Sequence, residues 1–217
     1  MAQAPPGPPG GQPPFDPYAA DRALAQWAAA RGYTLSAQPD LAWYQGWFPC
    51  VYLARPVRVG REVRATFGDA TVWAAETFEA DTLKQATGED RHLLVFLTSQ
   101  RLGARAAFRS RQGGGMVNEI SSGLDSLFGK KPQPGSVLGD PTLEARYDAT
   151  TPSREEGNRA LPMGLRQLLL QSGWRGILEL RAGGMVCETY DRKMFDPSGL
   201  DALFTLIGQI YGGAAAG

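Results

Sequence analysis

The strongest constraint on the fold is a hydrophobic pattern with a period of two in the first half of the chain. Apolar and polar residues alternate through Val57–Phe67, and Thr, Val and Trp are frequent in Ala70–Phe78. Alternation of this kind is typical of strands that bury one face. Turns at Gly60-Arg61 and Gly68-Asp69 would join these strands as hairpins, so the pattern predicts a mainly antiparallel sheet.

Further strands are predicted where apolar runs are bounded by glycine and polar residues. The run His92–Thr98 is too apolar for an edge strand and predicts a central one, whereas the polar segment Glu79–Asp90 predicts a loop. The glycines of Ala182-Gly183-Gly184 predict the turn of a C-terminal hairpin. The other predicted strands are Ala104–Arg109, Leu143–Thr150, Arg175–Arg181 and Met185–Tyr190.

Two Asp-Pro pairs mark the beginnings of helices, because aspartate caps the first turn and proline fits its first position. Asp16-Pro17 begins a helix that is predicted to reach Arg31, and Asp196-Pro197 begins another. Helical periodicity predicts two more helices, at Met116–Phe128 and Pro162–Gln171. The helix after Asp196 carries one apolar stripe, which consists of Leu200, Leu203, Phe204, Ile207, Ile210 and Tyr211.

Together these elements predict an α+β fold: a mainly antiparallel sheet of about five or six strands, covering helices and a C-terminal strand-helix-hairpin-helix section. A chain of 217 residues can bury one large core, so we expect a single domain over residues 16–212, with two sublobes (16–112 and 140–212) as a variant. Residues 1–15 are rich in Pro and Gly and carry no charge, which predicts a disordered tail. A short flexible tail is also predicted at residues 213–217.

The order of elements in the last third of the chain resembles that of certain bacterial α+β proteins of unknown function. The residues that carry this resemblance are Leu143–Thr150, Leu161–Leu170, Ile177–Tyr190 and Asp196–Tyr211. The resemblance implies an α+β fold and a bacterial protein. It implies no activity, since none is established for those proteins.

The scarcity of metal-ligating and nucleophilic side chains disfavours several chemistries. One histidine and two cysteines are too few for a structural zinc site, and a Ser-His-Asp mechanism would depend on His92 alone. We interpret His92 as a structural or surface residue. Cys50 and Cys187 are predicted to be buried free thiols, with a disulfide or a redox role as alternatives. We therefore expect no cofactor, no metal and no enzyme of a recognised kind, although a site built from carboxylates is invisible to this reasoning.

Charge and hydropathy restrict the partners. The 22 basic and 22 acidic side chains cancel, which removes the electrostatic basis for nucleic-acid binding. The sequence has neither a secretory signal nor an apolar run of about 18 to 20 residues, so we expect a cytoplasmic protein without a transmembrane segment. Peripheral membrane contact through Met116–Phe128 and the adjacent Lys130-Lys131 stays open.

Two groups of residues are candidate binding sites. The first consists of Trp43, Tyr44 and Trp47, which would anchor a partner, line a ligand pocket or pack in the core. The second is a stretch in which arginines occur without any acidic residue. Such a stretch would attract a phosphate or an acidic partner, or its members would pair with carboxylates on neighbouring strands. Its members are Arg101, Arg105, Arg109 and Arg111.

The favoured functional hypothesis is a non-catalytic, soluble bacterial protein that binds another protein as an adaptor or regulator. It rests on the missing catalytic and metal motifs and on the aromatic residues near Trp43. The alternative is a small-molecule or lipid binder, or an enzyme of an unrecognised type, with a pocket between sheet and helices. The oligomeric state has no signature in the sequence.

Overall fold

Eight strands of the protein form one sheet in which every neighbouring pair is antiparallel. The computed structural model describes residues 18–111, 138–190 and 195–216. The strands are β1 (Thr34–Ser36), β2 (Arg58–Phe67), β3 (Ala70–Phe78), β4 (Arg91–Thr98), β5 (Ala106–Ser110), β6 (Tyr147–Thr150), β7 (Gly176–Arg181) and β8 (Gly184–Thr189), in the spatial order β1-β2-β3-β4-β8-β7-β5-β6.

The β4–β8 pair joins strands from the two halves of the chain into one sheet. Helices connect and cover the strands. The described helices are α1 (Ala19–Ala30), α2 (Leu41–Gln45), α3 (Thr82–Thr87), α4 (Pro141–Arg146), α5 (Arg154–Ala160), α6 (Met163–Ser172) and α7 (Pro197–Ala214).

The predicted α+β class with a mainly antiparallel sheet is confirmed, and so is the C-terminal section of β6, helices, the β7–β8 hairpin and α7. In the part of the chain that the structure describes, the sheet has eight strands where about five or six were expected. Strand β1 is only three residues long, which leaves too short a pattern for alternation to be recognised. Strand β4 lies between β3 and β8, as the apolar run His92–Thr98 predicts.

The predicted hairpin turn at Gly60-Arg61 is wrong. Strand β2 continues through these residues with a register shift between Val59 and Glu62. A Cβ atom at Gly60 would lie 2.7 Å from Oε2 of Glu76 on β3, so glycine here permits a close approach within the sheet and a bulge, and makes no turn.

Three other boundaries differ from the expectation. The predicted strand Leu143–Thr150 begins only at Tyr147, because Asp140 caps α4 by accepting a hydrogen bond from the Leu143 N–H at 3.1 Å. The segment Glu79–Asp90, predicted as a loop, contains α3. Helix α7 continues through Gly212-Gly213 to Ala214. The predicted helix Met116–Phe128 and the predicted tail at residues 1–15 lie outside the described residues.

The two faces of the sheet are covered differently. The helix face, to which Val72, Val95 and Leu178 belong, packs against α1, α6 and α7. The loop face, to which Trp73 and Phe96 belong, is covered by α2 and residues 46–54. The six stripe residues of α7 are all buried on the helix face, as predicted.

Candidate functional site

The loop face carries a cluster of aromatic side chains from three elements, which we call the aromatic cluster. The Trp43 ring lies 4.6 Å from that of Trp73 and 5.7 Å from that of Trp47, measured between ring centroids. Phe96 and Tyr44 are buried beneath these rings, whereas the three tryptophans are half-buried. The predicted residues Trp43, Tyr44 and Trp47 therefore come together, and Trp73 joins them from β3.

Local structure positions the first of these rings. Asp40 accepts a hydrogen bond from the Ala42 N–H at 2.9 Å and so caps the N-terminus of α2, and Gly46 is its C-terminal cap. The Tyr44 hydroxyl donates a hydrogen bond to Glu62 on β2. Burial is the largest cause of a raised pKa at Tyr44, and the Glu62 carboxylate raises it further. Tyr44 thus serves packing, while Trp43 and Trp47 keep an exposed part.

Two side chains of β7 hold the irregular segment that follows α2. The Glu179 carboxylate accepts hydrogen bonds from the backbone N–H groups of Val51 at 2.8 Å and of Tyr52 at 2.7 Å. The Arg181 guanidinium donates to the carbonyl oxygen of Trp47 at 2.6 Å and lies over the Trp47 ring. Burial raises the pKa of Glu179, although the N–H donors and Arg181 act against it. We call this pair the β7 clamp.

Sequence reasoning missed the β7 clamp. In an alternating strand Glu179 and Arg181 resemble ordinary solvent-facing residues, yet Glu179 is only 3% exposed. Its partners are 127 and 128 residues away in the sequence, so no local pattern reports them. Gly184 leaves room for the Trp47 ring, because a Cβ at this position would lie 2.7 Å from it.

The two cysteines are free and buried, as predicted. Cys187 belongs to the core of the helix face and Cys50 to that of the loop face, so the sheet separates them. Burial raises the pKa of both thiols, which keeps them protonated and unreactive at neutral pH.

His92 lies between two carboxylates at one end of the loop face. Its Nδ1 is 2.7 Å from Oε1 of Glu188, and its Nε2 is 3.3 Å from Oε1 of Glu79, which also pairs with Lys84. Burial by itself lowers the pKa of His92, but the hydrogen bond and charge of Glu188, together with Glu79, raise it overall. His92 therefore links Glu188, through a hydrogen bond, with Glu79, which lies close to its other ring nitrogen, and this agrees with the structural interpretation of the residue. Glu188 lies 96 residues away in the sequence, which is why no partner was predicted.

The unfolding free energy is expected to fall as the pH rises through the raised pKa of His92. The folded-state pKa lies above the ordinary value of 6.5, so the stabilisation is fully present below that value and is lost at higher pH. Urea unfolding between about pH 6 and pH 9 measures this loss, with His92→Gln as the control that removes the titrating group. Parallel pH profiles for the two proteins would contradict the prediction.

The four predicted arginines do not form one patch. Arg109 and Arg111 lie together, with Nη2 of Arg109 and Nε of Arg111 at 2.9 and 3.0 Å from Asp148 on β6. Arg101 and Arg105 lie on the loop between β4 and β5, at the opposite end of the sheet. Arg109 therefore pairs with a carboxylate on the neighbouring strand, which is one of the two interpretations given for this stretch.

Arg109→Ala is expected to lower the unfolding free energy by about 1 to 2 kcal/mol, because the side chain is largely buried, paired with Asp148 and stacked on Tyr52. Arg105→Ala is the matched control. Its side chain is exposed and, among the described residues, only its backbone N–H forms a hydrogen bond, to Glu156, so we expect a change below about 0.5 kcal/mol. Urea unfolding measures the free energy of both variants. Equal losses of stability in Arg109→Ala and Arg105→Ala would contradict the structural role of Arg109.

No helix in the described ranges is long and apolar enough to cross a membrane. Within the same ranges no group of three or more His, Cys, Asp or Glu side chains is arranged to hold a metal ion.

Comparison with known proteins supports the fold. No protein-family model matches the sequence, and no curated protein matches it. The resemblance of the C-terminal third to bacterial α+β proteins stays a prediction. The structure is similar to the crystal structure of the mycobacterial trehalose monomycolate transport factor A, TtfA, with a TM-score of 0.56 and 10% sequence identity, over 88% of this chain and 92% of that chain. At this identity the similarity concerns the fold alone.

Proposed function

We propose that the protein is a non-catalytic adaptor or regulatory module that binds another protein through the aromatic cluster. The observation that carries the proposal is the set of half-buried tryptophans on one sheet face, in which the Trp43 ring contacts both Trp47 and Trp73. Tryptophan is enriched among the residues that dominate binding energy at protein interfaces.

Preorganisation strengthens this proposal. Binding orders flexible side chains and loops at an entropic cost, so a surface that is already rigid binds more tightly. The β7 clamp and the buried rings of Tyr44 and Phe96 hold the tryptophans in place before any partner arrives. A bacterial cytoplasmic location belongs to the same proposal and is supported by two free thiols and by the mycobacterial fold neighbour.

The proposal is tested with a photo-crosslinking residue at Ala42, an exposed position on α2 beside Trp43. The matched control carries the same residue at Gln167, exposed on α6. We expect one reproducible polypeptide adduct from position 42 and none of the same kind from position 167. Identical adducts at both positions, or none at position 42, would overturn the proposal.

The captured polypeptide must then bind in purified form. Trp43→Ala is expected to weaken that binding by about tenfold or more, as for other aromatic hot spots. Circular dichroism and urea unfolding show whether the variant keeps its fold. Unchanged affinity in a folded Trp43→Ala protein would exclude the aromatic cluster as the interface.

A second candidate function is a small-molecule or lipid-binding protein, or an enzyme of an unrecognised type, with a pocket between sheet and helices. The observation that favours it is the fold neighbour, which is a trehalose monomycolate transport factor. Native mass spectrometry of gently purified protein tests this candidate. A reproducible extra mass of a few hundred daltons would support it, and a clean apo mass would count against it. Peripheral membrane contact through Met116–Phe128 stays a prediction, which liposome flotation with anionic lipid would test.

A further inference from the structure

A run of prolines precedes the described part of the chain. Residues 5–9 read Pro-Pro-Gly-Pro-Pro, and we call them the proline segment; residues 1–15 carry no charge. Such a sequence favours the polyproline II helix, which has no internal hydrogen bonds, so its carbonyl oxygens are available as acceptors. Proline itself has no backbone N–H to donate. The proline segment therefore suits a surface that offers apolar rings and hydrogen-bond donors without charge.

The aromatic cluster offers both. The rings of Trp43, Trp47 and Trp73 are half-buried, and within the described residues none of their indole N–H groups donates a hydrogen bond. The Trp43 ring contacts the other two, so the outer ring centroids lie within about 10 Å of each other, close to the repeat of about 9 Å in a polyproline II helix. Aromatic side chains are the usual lining of surfaces that bind proline-rich segments.

Helix α1, which follows the proline-rich region, begins close to the aromatic cluster. The Asp21 carboxylate of α1 accepts a hydrogen bond from the Arg61 guanidinium at 2.9 Å, and the next residue of β2, Glu62, binds the Tyr44 hydroxyl. The Tyr44 ring lies 4.7 Å from that of Trp43, measured between centroids. Standard covalent dimensions along this path place the Asp21 carboxylate within about 30 Å of the Trp43 ring.

The chain before α1 is long enough to span this distance. Residues 1–17 precede the described part, and a polyproline II chain advances about 3.1 Å per residue, so this length reaches about 50 Å. Strand β1 pairs only with Glu62, Val63 and Arg64 of β2, which leaves residues 58–61 as an outer edge of the sheet in the described ranges. A chain that leaves α1 on the helix face can therefore pass around this edge to the loop face.

We infer that the proline segment docks on the aromatic cluster of its own chain and competes with the partner protein for the tryptophans. A short tether gives an effective concentration in the millimolar range, so even an intrinsic dissociation constant of about 1 mM lets the segment occupy the cluster in a large fraction of the molecules. The competition rests on the proposed function, whereas the docking is measurable without a partner.

Paramagnetic NMR of the full chain tests the docking. A nitroxide label is attached at Gln3→Cys, beside the proline segment, and the native thiols of Cys50 and Cys187 do not compete for it because they are buried and protonated. We expect the label to broaden the indole N–H signals of the three tryptophans of the aromatic cluster. The signal of Trp174 should stay sharp, because its ring stacks on Tyr147 of β6, at the opposite edge of the sheet from β1.

A matched variant separates binding from mere proximity, because any tethered label broadens nearby signals. It carries the same label and has serine in place of all four prolines of the proline segment. We expect this variant to lose most of the broadening at the three tryptophans. Equal broadening in the two labelled proteins, or none at these tryptophans, would overturn the inference. Broadening that fades on dilution would also overturn it, since the segment would then be binding a second copy of the chain.

The partner captured at position 42 separates this inference from the proposed function. The proline-to-serine variant is expected to bind that partner about two- to tenfold more tightly, because the competing segment is gone. Unchanged affinity would overturn the competition. Proline-dependent broadening without any polypeptide captured at position 42 would support the docking and refute the proposed function, and a captured partner without such broadening would do the reverse.

Discussion

Glu179→Ala is expected to lower the free energy of unfolding by about 3 kcal/mol or more, since each buried N–H group left without a partner costs about 1 to 3 kcal/mol. The variant leaves the N–H groups of Val51 and Tyr52 without their acceptor. It also removes the charge that faces Arg181. Urea unfolding measures the loss, and tryptophan fluorescence reports whether Trp47 becomes more exposed.

Two further variants separate the hydrogen bonds from the mere loss of a side chain. Glu179→Gln keeps the shape and one acceptor oxygen but turns an NH₂ group towards the second N–H, so its stability should lie between wild type and Glu179→Ala. Glu156→Ala removes a half-buried carboxylate that accepts one solvent-accessible backbone N–H, from Arg105, and should cost below about 1 kcal/mol. A loss in Glu179→Ala no larger than in Glu156→Ala would refute the role of the β7 clamp.

Phe96→Ala is expected to destabilise the protein by about 3 to 5 kcal/mol, the usual cost of removing a fully buried aromatic ring. The Phe96 ring lies at 5.0 to 5.8 Å from the rings of Tyr44, Trp47 and Trp43, so its removal leaves a cavity beneath the aromatic cluster. Urea unfolding gives the stability, and near-ultraviolet circular dichroism should show reduced ordering of the tryptophans.

Phe108→Ala is the matched control for this prediction. Phe108 is as fully buried as Phe96 but belongs to the core of the helix face. We expect a similar loss of stability with little change in the dichroism of the aromatic cluster and, under conditions where both variants remain folded, unchanged binding of any partner captured at position 42. If both variants disturb the tryptophans equally, the two faces of the sheet are not independent and the assignment of the cluster to the loop face loses its support.

Those parts of the fold that depend on neighbouring residues were predictable from the local sequence. The frequent Thr, Val and Trp residues after the turn at Gly68-Asp69 predicted Ala70–Phe78 with the bounds that β3 has, and the Asp-Pro pair at Asp196 predicted the beginning of α7. The apolar run His92–Thr98 predicted a central strand. Caps, turns and hydrophobic periods act over a few residues, so the local sequence contains the information that they need.

The sequence was misleading where one residue type serves two local structures. Gly60 was interpreted as a turn residue, but it lies within a bulged strand, where a Cβ would come 2.7 Å from the Glu76 carboxylate on β3. The Asp140-Pro141 pair is the same helix signal as Asp196-Pro197, yet the apolar residues after it suggested a strand. Only the contacts of the folded chain distinguish these alternatives.

The assembly of the candidate site depends on contacts between residues that are distant in the sequence. Trp43 and Trp47 were recognisable as an aromatic group, but Trp73 joins them from another element, and Glu179 supports them from 127 and 128 residues away. His92 likewise finds Glu188 across a gap of 96 residues. The physical reason is that hydrogen bonds and ring contacts depend on distance in space, and strand pairing sets that distance only after the whole sheet has formed.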